Sequence, residues 1–112
     1  MSDGRFSEAR VGEVETADVG NGIVVHRLYR SGPEADFRRA LLVSFPAGAR
    51  WPGVDFHEPG PEDVYVVSGS FSGLTDEDST HGPGTFLHFE AGTSHSPWTD
   101  TGGELFVYYP AG

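Results

Sequence analysis

The stretch "VDFHEPGPEDVYVVSGSFSG", Val54 to Gly73, decides how this chain is read. Pro59 and Pro61 exclude a helix between His57 and Glu62, because proline lacks the N–H and clashes with the preceding turn. Five residues separate the two, an odd number, so on one straight strand they would face opposite ways. The Pro59-Gly60-Pro61 turn removes that conflict. One strand ends near His57 and another begins near Glu62, with both side chains on one side. Asp55 and His57, two apart, share a face if extended. Glu62 shares a face with Val64 and Val66, which directs its carboxylate toward the core. A buried carboxylate is costly unless it is paired or holds a cation. The competing reading is a solvated Glu at the rim of a strand.

Outward from this stretch the pattern is uniform. "GIVVHRLYR", "FRRALLVSF", "DVYVVSGSF", "GTFLHF" and "GELFVYY" are short segments rich in Val, Ile, Phe and Tyr, residues that suit a pleated, half-buried surface. None carries a helical stripe of ten or more residues. Sixteen glycines and eight prolines punctuate the chain along its whole length. Short strands between regular turns predict an all-β sandwich or barrel. "FRRALLVSF" reads as a strand because "PAG" stops it at once. A short helix near Phe6 to Val14 is the one helical alternative. Trp51 and Trp98 flank the two stretches read here as a site. They either pack the barrel, close a dimer face, or wall an apolar ligand cavity.

With 112 residues, the chain suits one domain, 1–112, with an N-terminal segment over 1–20. Such a chain buries roughly 65% of its unfolded surface. It has no cysteine, which excludes disulfides and thiolate ligands. The net charge is −10, with 17 acids against seven arginines and no lysine. That balance argues against nucleic acid, which needs a basic surface to displace counterions. The polar, acidic start "MSDGRFSEARVGEVE" has no apolar run of a signal peptide. Runs such as Ala40 to Val43 are too short to span a bilayer. The expectation is a cytoplasmic protein without membrane or nucleic-acid partners.

The second informative stretch is "GPGTFLHFEAGTSHSPW", Gly82 to Trp98: a strand, a Gly-bearing turn and then His95. With the opening stretch it resembles the cupin superfamily. His57, Glu62 and Gly69 fit the first cupin motif; Gly84, Gly92 and His95 fit the second. The resemblance covers about residues 41 to 109 and is nearest to the ChrR-type, anti-sigma-factor branch. Three positions depart from the family pattern: Asp55 stands for the first histidine of the usual pair, Glu90 for the proline of the second motif, and Thr99 for a late asparagine-like position. A four-residue spacing would put Glu58 rather than His57 in the second histidine slot; His57 is preferred, since imidazole is the commonest metal ligand.

The resemblance implies a small antiparallel jelly-roll β-barrel, with Gly69 and Gly92 at tight turns. It implies a divalent metal held by His57, Glu62 and His95, with Asp55 as a candidate fourth ligand. Two imidazoles and a carboxylate on one side of an ion leave open positions, which suits Fe(II), Mn(II) or Zn(II). Three functions follow from that picture. The chain is a metal-dependent, dioxygenase-like enzyme acting on a small organic molecule; or a ligand-sensing cupin; or a metal-free scaffold. A helical sigma-binding domain does not fit in this length. A homodimer is expected, with apolar strand faces such as "GIVV" and "LFVYY" paired under twofold symmetry.

The remaining polar candidates carry plainer expectations. His26, inside "VVHRLY", reads as a surface or satisfied strand residue, and His81, in an acidic loop, as exposed. His88 shares a strand face with Glu90 and is a weak candidate for a pocket wall. "TDEDST", Thr75 to Thr80, lacks the further ligands of a calcium loop and reads as a solvated hairpin loop.

Overall fold

The computed structural model describes residues 6–31, 38–53, 60–75 and 79–110, together with the backbone of 55–56. Eight strands follow in chain order: β1 (Thr16–Gly20), β2 (Ile23–Arg30), β3 (Arg39–Phe45), β4 (Asp55–Phe56), β5 (Glu62–Gly69), β6 (Phe86–Phe89), β7 (Ser94–His95) and β8 (Gly103–Tyr109). No helix occurs among the described residues, so none is long and apolar enough to cross a membrane. Where the N-terminal helix was the alternative, Val11–Glu13 forms a turn closed by Glu13 N donating to the Arg10 carbonyl at 2.8 Å.

Six strands form one antiparallel sheet in the order β1-β2-β3-β8-β5-β6, and β4 pairs with β7 in a second, small sheet. Isolated bridges from Arg50 and Ser72 to Trp98, and from Phe71 to His81, extend the second layer. This is the all-β architecture that the segment pattern predicts, in the antiparallel jelly-roll form that the resemblance implies. All five expected segments are strands. β4 is the strand expected to end near His57, whereas the polar TADVG of β1 and the two-residue β7 were not legible, because neither carries an apolar run.

Alternation of side chains builds the core. Ile23 and Val25, Val43 and Phe45, Val64 and Val66, and Leu105 and Val107 all point inward from β2, β3, β5 and β8. Phe71 and Leu74, from the loop after β5, close the interior at zero exposure. Phe71 meets Phe45 edge-on, ring centroids 5.0 Å apart, the arrangement the aromatic quadrupole favours. Each such fully buried side chain is worth roughly 1.5–3 kcal/mol over an exposed one.

Both motif glycines meet a backbone demand. Gly69, at the end of β5, has φ of 79°, and a Cβ there would lie 2.0 Å from the Gly102 carbonyl oxygen. Only glycine lets β5 and β8 approach that closely, through the Gly69–Gly103 pair. Gly92 has φ of 88° in the turn before β7, where the demand is conformational and not steric.

Candidate functional site

Glu62 opens β5 in register with Val64 and Val66, and it is buried, at 2% exposure. The inward direction read from the strand period is the observed one. His95 lies on β7 and is buried as well. Its Nε2 stands 3.2 Å from Glu62 Oε1. The two residues come from different sheets, so the contact spans the interior of the barrel.

The surroundings are apolar. Glu62 pairs across the ladder with Phe89 of β6, and the Phe89 ring lies 4.6 Å from the His95 ring. Glu62 and His95 border a cavity of about 60 Å³ whose other walls include Trp51, Phe45, Val64 and Pro97. That is several times the roughly 10–15 Å³ needed for one water. A carboxylate and an imidazole in such a place are expensive, and their mutual contact offsets part of the cost. Trp51 packs against the core, with its ring 6.4 Å from Phe45, and also lines the interior cavity. Trp98 instead lies under the Arg50 guanidinium, 5.2 Å from its ring centroid.

Asp55 stands directly opposite His95 in the β4–β7 pair. Its backbone thus reaches the site from the strand that precedes the Pro-Gly-Pro turn. His57 and Glu58 lie outside the described residues, as do Asp76, Glu77 and Asp78 of the "TDEDST" loop. Among the described residues no group of three or more His, Asp or Glu gathers as a metal cage. The donors that are described suit one edge of such a site. Oxygen and nitrogen ligands sit about 2.0–2.2 Å from Zn(II) or similar ions, which puts neighbouring ligands roughly 3.0–3.5 Å apart. The Glu62–His95 separation falls in that range.

The other histidines have structural partners. His26 Nε2 lies 3.2 Å from Ser44 Oγ, which donates to Glu104 Oε2 at 3.2 Å, so His26 is a partly buried strand residue as expected. His81 is half-buried, with Nδ1 shielded from solvent, not exposed as its acidic loop suggested. Its backbone exchanges two hydrogen bonds with Phe71, which draws the loop onto the barrel. His88 points away from the core, with Nδ1 2.5 Å from Asp63 Oδ1 and Nε2 2.9 Å from Glu90 Oε2. Its hydrogen bond to the Asp63 carboxylate raises its pKa above the ordinary 6.5, and Glu90 adds to the effect. Thr99, at the asparagine-like position, is fully buried and acts as a staple. Its hydroxyl donates to the Ser70 carbonyl at 2.7 Å and accepts from Gly102 N at 3.1 Å.

Phe89 was absent from the residues singled out in sequence. Its signal was its place in "FLHF", where alternation puts Leu87 and Phe89 on the inner face against the core.

No family model matches the chain. No curated protein matches it either. Solved structures do. An RmlC-like cupin from Shewanella frigidimarina superposes with a TM-score of 0.75 at 23% identity, over 91% of this chain and 87% of that one. A chain of the Rhodobacter sphaeroides complex of SigE with the anti-sigma ChrR gives 0.68 at 24% identity, over 89% of this chain and 50% of its own. This chain therefore spans half the length of that relative. An acetylacetone dioxygenase from Acinetobacter johnsonii gives 0.74 at 16% identity, over 97% of this chain and 75% of that one. The chain thus has the cupin fold that the motif resemblance implies.

Proposed function

We propose that this chain is a metal-binding cupin that acts on a small organic molecule, in the manner of a dioxygenase. The observation that carries this reading is the Glu62–His95 contact at 3.2 Å, buried and bordering an interior cavity. A stability-driven core has little use for a carboxylate and an imidazole facing one another across apolar walls. Removing such a pair in favour of apolar residues is often neutral or stabilising. Its retention favours a role as ligands. His57 would complete the set with Glu62 and His95, and Asp55, whose backbone pairs with that of His95, would be the candidate fourth ligand. Neutral imidazoles and ionised carboxylates are the donors that Fe(II), Mn(II) and Zn(II) accept.

A bound divalent ion would supply Lewis acidity and, as Fe(II), redox chemistry. The protein's own contribution is positional. Phe89 packs against the His95 ring, Trp51 and Phe45 wall the cavity, and the β5–β6 pairing holds Glu62. The similarity to an acetylacetone dioxygenase makes a diketone the first substrate to try. The test has two stages. Metal content is measured on protein purified from its own host. Oxygen uptake is then followed with acetylacetone after loading with Fe(II). Stoichiometric metal and substrate-dependent uptake support the reading. Absence of metal, with no melting shift on adding any of the three ions, makes the scaffold reading the better one.

A homodimer remains the proposed assembly, with a more specific surface than the termini alone. Leu42, Phe106, Tyr65 and Phe86 lie in one register row across β3, β8, β5 and β6, on the face turned away from the core. Tyr65 and Phe86 are 43% and 60% exposed. A second copy laid on this row under a twofold axis would cover it.

A further inference from the structure

Asn21 is the chain's one asparagine, and there is no glutamine, so the protein carries a single side-chain amide. That amide precedes Gly22 in the two-residue loop between β1 and β2, and both residues are exposed. Asn21 has φ of 56° and Gly22 of 77°. Positive φ at both loop positions marks the type I′ hairpin turn, for which Asn-Gly is strongly preferred. The same pair sets up a reaction. Glycine has no side chain to shield its backbone nitrogen, so that nitrogen reaches the preceding carboxamide whenever the turn opens.

The fold restrains both reactants. Asn21 Nδ2 donates to the carbonyl of Arg50 at 2.8 Å, 29 residues further on. Gly20 N donates to Asp18 Oδ1 at 2.9 Å, which fixes the entry to the turn. Gly20 and Ile23 pair at its mouth. The loop also leans on two prolines. A Cβ on Gly22 would lie 3.0 Å from Pro46 Cγ, and one on Gly20 3.5 Å from Pro52 Cγ. Reaction requires Asn21 to leave the Arg50 carbonyl and swing its carboxamide over the Gly22 nitrogen. β1 is an edge strand, and exposed turns at a sheet edge open at low cost in free energy.

We propose that Asn21 is a site of spontaneous deamidation, gated by the hydrogen bonds that Asn21 and Gly20 make to Arg50 and Asp18. The Gly22 backbone nitrogen loses its proton and attacks Asn21 Cγ. The N–Cγ bond forms, the Cγ–Nδ2 bond breaks, and the amide nitrogen leaves as ammonia with that proton. Water then opens the cyclic imide at either carbonyl, to aspartate or to isoaspartate. No oxidant or reductant takes part. The product has no amide to donate, and it sets a carboxylate against the Arg50 carbonyl oxygen. Isoaspartate also lengthens the backbone inside the loop that the Gly20–Ile23 pair closes. Either product releases the turn from the 46–52 segment, which carries Trp51, a wall of the Glu62–His95 cavity.

The test incubates the full chain, folded and in guanidinium chloride, in mildly alkaline buffer. Mass spectrometry follows the tryptic peptide Val11–Arg27, and no second amide confuses the assignment. Product forms at Asn21 in the folded chain, roughly ten- to a hundredfold more slowly than in the unfolded one. Asp18→Ala frees Gly20 N, speeds the folded reaction roughly two- to tenfold and leaves the unfolded rate unchanged. Asn21→Asp, the normal-chain product, melts below the wild type. Folded and unfolded rates within about tenfold of one another overturn the proposal, as does no folded product over about a hundred unfolded half-lives. A folded rate indifferent to Asp18→Ala, or Asn21→Asp melting no lower than the wild type, overturns the gate. The wild-type comparison stands without either variant.

Discussion

His95 and Glu62 belong to different sheets, yet their side chains meet at 3.2 Å inside the barrel. Residues 33 positions apart in sequence are thus joined where the two layers close. The candidate chemistry sits at that closure.

The first prediction concerns these two residues. Divalent metal binds only the folded state and should raise the melting temperature; at a hundredfold excess over Kd the gain is about 2.7 kcal/mol. For a domain of this size that is a shift of roughly 10 °C or more. His95→Ala should remove the shift while the metal-free protein still folds. Affinity should fall below about pH 6, since imidazole ligands must be neutral and metal competes with protons for them. Melting scans with Fe(II), Mn(II) and Zn(II) across that range check both statements.

Truncating one partner of the buried pair should also reveal its cost. Glu62→Ala leaves the His95 ring facing an apolar cavity. Breaking a buried pair from one side costs roughly 3–5 kcal/mol. Urea unfolding of the metal-free variant measures it, and a loss under about 1 kcal/mol would show the pair to be solvated.

Gly69→Ala should be severely destabilising. Its positive φ costs an L-residue about 1–2 kcal/mol, and a Cβ 2.0 Å from the Gly102 carbonyl forces the β5 and β8 backbones apart. Overpacking of that kind adds roughly 1–3 kcal/mol. Gly92→Ala meets no neighbour, so it should bear the conformational part alone. Parallel urea titrations should rank the two variants in that order.

His88 should titrate above 6.5, because the Asp63 hydrogen bond favours its charged form. A raised folded pKa means a contribution that is fully present below pH 6.5. It is lost as pH rises through the folded value. Asp63→Asn should bring the midpoint back toward 6.5. Ring-proton NMR of the wild type and the variant reads this directly, and an unshifted wild-type midpoint would show the Asp63 contact to be absent in solution.

The assembly proposal predicts a sedimenting species of twice the 12.0 kDa chain mass. Phe86→Glu, at the most exposed point of the outer row, should return the monomer without altering melting of the barrel. Dimers that survive this change would place the interface elsewhere.

Much of this was written in local sequence. Alternation of apolar residues in "DVYVV" and "ELFVYY" sets both strand type and inner face, since side chains on a strand reverse direction at every residue. That is why Glu62 could be directed inward before any tertiary contact was known. Gly69 and Gly92 were legible through the motif resemblance, and both have the left-handed backbone that glycine favours. Other features depended on how distant segments meet. The two-residue β7 carries no propensity signal, and it exists because the second layer closes over the first. His81 looked solvent-facing in its acidic loop, yet pairing with Phe71 half-buries it. Only the β2–β3 register sets Arg30 against Arg39, and only the neighbouring β8 places Tyr109 beneath Arg39. The local pattern therefore determined the five apolar strands and the inner face of each. Folding decided which inward-facing residues share a cavity, because that depends on strand order and layer closure, and neither is encoded within any one strand.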